Sequence, residues 1–345
     1  MGKMILVGEP MGLFMANEPG ELSEVRTFTS SIAGAEYNVA VGISRLGHEA
    51  AYCTRLGFDP MGEKILRGMR ENGISTELVM QAEDALTGFM LKSFTQKGDP
   101  KIAYYRRNSA ASQISAHDMD KLDLSGCEYL HVTGITPALS QSALSAIRRL
   151  MERARALDMV ISFDPNLRPQ LWESEQKMVS TLNSLAEGVD IVLPGRGEGK
   201  ILCGTDIPEE IAAFYHSLGV KNVVVKLGKD GAYYSAACGT GTVCGTGAVC
   251  GHSHGGEADE SHAETGYIPA FPESKKVDTV GAGDGFAAGV LSAVMEGLSL
   301  KEAAFRGNVI GAIQITNKSD NEGLPTREQL EEVIRRGIAG VPPEA

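Results

Sequence analysis

The chain predicts an α/β fold: a mostly parallel central sheet covered by helices on both faces, an αβα sandwich, with a small β-sheet lid beside it. Three observations carry this. Short apolar runs alternate with stretches of helical periodicity, the pattern of buried parallel strands and their covering helices. Two segments interrupt that alternation with paired extended stretches around turns. Late in the chain, a glycine-rich string runs straight into an apolar helical stretch.

The strand candidates are residues 4–7, 128–133, 160–164, 191–193 and 223–227. Between them Val39, Ala40, Ile43 and Leu46 recur at helical spacing and stop at Gly47, and residues 139–157 do the same. The two interruptions are residues 10–29 and 87–108, with turns at 17–20 and 96–100. Phe89, Leu91, Phe94, Ile102, Tyr104 and Tyr105 suit strands better than helices. The segments follow the first and third strands, and together they are expected to form a lid over the mouth of the main domain; two separate surface hairpins are the alternative. Residues 1–9, 30–86 and 109–345 then make up the main domain. In such sheets ligands bind beyond the carboxyl ends of the strands. Asp164, Arg168 and Asp284 all fall just past strand ends or at helix starts.

Composition narrows the class. The 345 residues, 43% hydrophobic and 22% charged, suit one large α/β unit with a minor appendage. A net charge of −12 argues against nucleic acid or an anionic membrane surface as partner. No charged-then-apolar leader and no apolar run near about 18 residues is present, so a cytoplasmic location is expected. Six cysteines over this length do not make a secreted disulfide framework. Residues 236–266 contain an imperfect six-residue repeat around Cys238, Cys244 and Cys250, followed by His252, His254 and His262. Thiolate and imidazole suit zinc, but no ligand spacing of a zinc site occurs, and Gly-rich repeats read as an insertion loop.

The string Asp278-Thr279-Val280-Gly281-Ala282-Gly283-Asp284-Gly285 carries the chemistry. Small residues at a helix start leave backbone amides bare at the positive end of the helix dipole, where a phosphate binds. Asp284 in that first turn is then placed to take the proton of an attacking hydroxyl. No P-loop signature occurs, so Gly281, Ala282 and Gly283 are the phosphate-cradling candidates. A second glycine-bounded turn, Lys226-Leu227-Gly228-Lys229-Asp230-Gly231, ends a β-branched strand and permits close backbone approach to a ligand.

The 278–285 string resembles the C-terminal motif of the ribokinase-like (PfkB) family of sugar and nucleoside kinases. Gly34-Ala35-Glu36-Tyr37-Asn38 resembles that family's sugar-binding turn, and similar order continues from about residue 4 to about residue 335. The resemblance implies a ribokinase-like fold, a lid that closes over sugar, ATP and Mg2+ as cofactors with a monovalent cation as a further candidate, and Asp284 as catalytic base. It also implies a nucleotide site at Lys226, Gly228, Gly231, Gly281, Gly283 and Asn308. Where the family shows Asn-x-x-Glu serving magnesium through water, this chain has Gly195 and Glu198, so Glu198 alone is carried over. Residues 104–112, 164–172 and 320–326 resemble the 2-keto-3-deoxygluconate kinases of the family. Gly34, Asn38, Phe89, Tyr104, Arg106, Arg168 and Asp320 are then the acceptor-site candidates, the arginines suiting a carboxylate. The expected activity is ATP-dependent phosphorylation of that sugar acid at its terminal hydroxyl. Another sugar kinase of the family, and a non-catalytic sugar- or nucleotide-binding regulator, are the alternatives. The lid edges are expected to pair in a homo-oligomer.

Overall fold

The computed structural model describes residues 2–94, 100–237, 264–273, 276–277, 279–317 and 320–340. The lid turn at 96–99, the cysteines and histidines between 238 and 263, and Asp278 lie outside the described residues.

Nine strands form the main sheet: β1 (Lys3–Val7), β4 (Glu49–Gly57), β5 (Val79–Ala82), β8 (Cys127–Thr133), β9 (Val160–Asp164), β10 (Ile191–Val192), β11 (Asn222–Lys226), β12 (Ala232–Ala236) and β13 (Thr265–Ile268). Their order is β13-β12-β11-β10-β9-β8-β1-β4-β5. All neighbours from β11 to β5 run parallel, and β12 and β13 add an antiparallel edge. The chain builds outward from β1 to β5 and then returns to the other side of β1 with β8. That reversal is a topological switch point, where a crevice opens.

Both faces of β1 are buried. Met4 and Leu6 enter one core cluster and Ile5 and Val7 the other, because successive side chains point to opposite faces. One cluster packs α1 (Ala35–Arg45), α2 (Pro60–Glu71), α8 (Ala282–Met295), α9 (Leu300–Ile315) and α10 (Arg327–Arg336) on the sheet. The other packs α3 (Ala116–Lys121), α4 (Gln141–Ala156), α5 (Glu175–Ala186), α6 (Arg196–Leu202) and α7 (Pro208–Ser217). Helices α8 and α9 approach closely through glycines: a Cβ on Gly289 would lie 2.8 Å from the Arg306 carbonyl. At the far end of α8, Glu296 binds Arg306 (2.8 Å), Arg327 (2.7 Å) and His48 (3.1 Å).

A separate four-stranded sheet, ordered β3-β2-β6-β7, consists of β2 (Met11–Ala16), β3 (Phe28–Ala33), β6 (Phe89–Lys92) and β7 (Ile102–Tyr105); the first interrupting segment thus continues past residue 29 to Ala33, because β3 pairs with β2 along its whole length. The inner face of this sheet carries Met11, Leu13, Ala33 and Met90 as a small core. Among the described residues, no helix is long and apolar enough to cross a membrane.

Candidate active site

Helix α8 starts at Gly281, whose φ of 78° is left-handed. A side chain there would be strained, and its Cβ would sit 2.5 Å from the Asp320 carbonyl oxygen. Glycine is therefore required by both conformation and space. The Ala282 amide bonds Thr279 O (3.3 Å), while among the described residues those of Gly283 and Asp284 have no partner. The Gly281 amide likewise has no partner among the described residues, and a helix N-terminus with bare amides suits an anion.

Asp284 accepts a hydrogen bond from Asn38 Nδ2 (2.7 Å). Burial raises its carboxyl from the ordinary 3.8 to about 6; Asp164 adds to the rise, while Asn38, Arg168 and Lys226 oppose it. Lys226, at the end of β11, donates to Asp164 Oδ2 (2.7 Å). Burial works against its charge, but Asp164, Glu198 and Asp284 outweigh that and hold its pKa above the ordinary lysine value. A permanent cation thus faces a carboxylate poised to gain or lose a proton near neutrality.

Two cavities meet at this point. The first, about 520 Å3, lies at the switch point between the main sheet and the inner face of the lid sheet. The second, about 350 Å3, lies between the 226–231 turn and helices α8 and α9. They share Lys226, Thr279 and Gly283.

Gly34, Asn38, Tyr104, Arg106, Arg168 and Asp320 all line the first cavity. Gly34 has φ 141°, and a Cβ there would lie 2.9 Å from Glu9 O. Arg106 is buried and not free: its Nε donates to Glu9 Oε2 (2.6 Å), and its guanidinium lies over the Tyr104 ring at 5.7 Å. Arg168 has the Asn166 and Leu167 carbonyls as partners, with no carboxylate among the described residues within ion-pair distance. Asp320 is paired with Lys92 of β6 (3.0 Å). Phe89 is the exception. It stacks on Tyr105 (centroids 4.6 Å apart) on the opposite face of the lid sheet, and its neighbour Met90 faces the cavity instead. The period of two along β6 puts only one of the pair inward, and the inward residue is the methionine.

Gly228, Gly231, Gly283 and Asn308 line the second cavity, with Phe271 and Phe286 as its apolar walls. Gly231 has φ 95°, and a Cβ there would approach Ile268 O to 2.0 Å. Asn308 donates through Nδ2 to Pro269 O (3.0 Å) and Ile268 O (3.2 Å), fixing the strand-end backbone of this wall.

Glu198 accepts from the Gly195 amide (2.7 Å) and the Leu167 amide (2.8 Å), and burial raises its pKa while Lys226 opposes this. No group of three metal-ligating side chains occurs among the described residues. Each carboxylate oxygen of Glu198 keeps a further lone pair. The donors present therefore fit a magnesium ion carried on a substrate's phosphates and reached from Glu198 through water.

Sequence reasoning missed Glu9, Glu36 and Lys92. Glu36 is buried against the first cavity, bonded by Thr133 (2.6 Å) and Thr136 (3.0 Å). Its pKa is raised by burial.

A helix start with bare amides and a buried carboxylate beside it, where two cavities meet below a second sheet, fits a phosphotransferase acting on a hydroxyl group. Residues 1–327 match the pfkB family of carbohydrate kinases, and the chain belongs to that family. The chain is 41% identical over 327 residues to the 2-dehydro-3-deoxygluconokinase of Bacillus subtilis (strain 168), covering 94% of this chain and 93% of that one. It is 28% identical over 320 residues to a 5-dehydro-2-deoxygluconokinase of Geobacillus kaustophilus (strain HTA426), covering 91% and 88%. The PfkB protein from Polaromonas sp. JS666 superposes with a TM-score of 0.82 at 40% identity, covering 96% of this chain and 99% of that one. A putative ribokinase II from E. coli in complex with ATP and Mg2+ has the same fold (TM-score 0.82, 24% identity, 97% and 100% covered).

Proposed function

We propose that this chain transfers the γ-phosphoryl group of ATP to the terminal hydroxyl of 2-keto-3-deoxygluconate. The observation that carries the reading is the meeting of two cavities at Lys226, Thr279 and Gly283, with Asp284 on the first cavity's side of the junction. ATP occupies the second cavity, its base between Phe271 and Phe286 and its terminal phosphates at the Gly283 and Asp284 amides. Glu198 would reach magnesium on those phosphates through water, and the ion would supply neutralisation of the charge that develops during transfer. The sugar acid occupies the first cavity, with Arg168 as the uncompensated cation for its carboxylate and Arg106 and Tyr104 as oriented donors. Asp284 takes the hydroxyl proton as the oxygen attacks in line, and Lys226 with the α8 amides holds the transferring group.

A coupled ADP-release assay with MgATP tests this across 2-keto-3-deoxygluconate, its galacto epimer, fructose and ribose. Turnover confined to the keto-deoxy acids supports the reading; turnover on fructose or ribose alone overturns the arginine assignments and keeps the kinase. Repeating the assay with K+ in place of a bulky organic cation tests the monovalent-cation requirement. The reading includes a cytoplasmic enzyme in which two copies pair through the lid, where Phe14, Phe89 and Tyr105 cluster on the outer face. Light scattering that finds a monomer would overturn the pairing.

A further inference from the structure

We propose that Asn321 is a positioning residue that couples lid strand β3 to the catalytic base through Asn38, a role that rests on the reading of Asp284 as that base. Asn321 is buried (7% exposed), as is Asn38 (3%). Asn321 Nδ2 donates to Ile32 O in β3 (2.8 Å) and to Asn38 Oδ1 (2.9 Å). Both of its N–H groups are thereby spent on acceptors. A carboxamide has one accepting and one donating end, so the bond from Asn321 decides which way Asn38 faces. With its Oδ1 held by Asn321, Asn38 turns Nδ2 to Asp284 Oδ2 at 2.7 Å.

The loop that carries Asn321 is itself fixed from both sides. Arg45 Nη1 holds the carbonyls of Asn321 (3.2 Å), Glu322 (3.0 Å) and Leu324 (2.8 Å). The preceding residue, Asp320, pairs with Lys92 of lid strand β6 (3.0 Å) and packs its carbonyl against Gly281. Two adjacent residues therefore touch two lid strands, the phosphate turn and, through Asn38, the base. A displacement of the lid at Ile32 is felt at Asp284 as a loosened Asn38 bond. The position of strand β3 thus sets the hydrogen bond that orients Asn38 toward the base.

The test is Asn321→Asp, isosteric but able to donate no hydrogen when ionised. It sets acceptors against the Ile32 carbonyl and Asn38 Oδ1, so Asn38 turns its Nδ2 away from Asp284. The other charged groups facing Asp284, namely Asp164, Arg168 and Lys226, are unchanged in the variant. Steady-state kinetics from pH 5 to 9, with melting curves, should show kcat lowered roughly 10- to 100-fold. The acid limb of kcat/KM should move up by about one pH unit, with KM for ATP within about two-fold of the parent. Asn321→Ser, which keeps one donor, should fall between the two, and it carries the same comparison should Asn321→Asp not fold. A folded variant with parental kcat and acid limb overturns the proposal. So does one that loses activity with its acid limb unmoved, because a merely structural role would look like that. Turnover by Asp284→Asn would overturn the base assignment itself, and the coupling with it.

Discussion

Replacing Asp284 by Asn should abolish turnover and at the same time make the protein more stable. The carboxyl is raised from 3.8 to about 6, chiefly by burial. For an acid whose folded pKa lies above its unfolded one, the folded state binds the extra proton between those values. Stability therefore falls as pH rises from about 4 to about 6, and the penalty is complete above that window. At about 1.36 kcal/mol per pH unit the penalty is about 3 kcal/mol near pH 8. An unfolding entropy of about 2.1 cal/mol/K per residue over this chain converts that to a rise in Tm of about 4 °C. Scanning fluorimetry of the parent and D284N at pH 8 and at pH 4.5 measures it. The gap should be present at pH 8 and largely gone at pH 4.5. A D284N protein that melts below the parent at pH 8 would show that the carboxylate holds the fold together, and the account of a strained base would be wrong.

Other substitutions probe the remaining parts. Gly281→Ala forces a left-handed side chain against the Asp320 carbonyl and displaces the bare amides, so kcat should drop at least about 100-fold with a smaller change in acceptor KM. Gly231→Ala, with its Cβ directed at the Ile268 carbonyl, should weaken binding of a non-hydrolysable ATP analogue by calorimetry at least about ten-fold while leaving sugar binding intact. Glu9→Ala strands a buried guanidinium, and urea unfolding should register a loss of about 3–5 kcal/mol together with a raised acceptor KM. An unchanged unfolding midpoint in that variant would mean that the Glu9–Arg106 pair is dispensable.

Much of the architecture could be read from periodicity alone, because buried parallel strands and their helices leave strong apolar patterns. The five expected strands correspond to β1, β8, β9, β10 and β11. Strands β4, β5, β12 and β13 were not anticipated. β4 carries Arg55 and Thr54 among its apolar residues, and β13 is half exposed, so neither shows a clean run. Glycine positions were legible for a physical reason: at Gly34, Gly231 and Gly281 the backbone itself demands them. Side-chain pairing was not. Glu9 and Arg106 stand 97 residues apart, and Lys92 and Asp320 stand 228 apart. Nothing local in either segment announces a partner so distant. Phe89 shows the same limit at shorter range, since an aromatic in a lid strand is equally at home on either face until register is known.

The separation of the two sheets has a consequence for how such an enzyme can be altered. The phosphate turn and Lys226 belong to elements of the main body, and α8 is wedged by glycine contacts against α9 and tethered at its far end by Glu296. Met90, Ile102, Tyr104 and Arg106, by contrast, reach the first cavity from strands spliced between body elements or from the residue that follows them. On the proposed reading, part of acceptor choice is thus written on the spliced-in strands, while Arg168 and Asp320 contribute the rest from the main body. Grafting β6 and β7 from a relative of other preference, with Lys92 and its Asp320 pair retained and the partner at position 9 exchanged too, should shift acceptor preference while the sequence of the phosphate turn stays as it is.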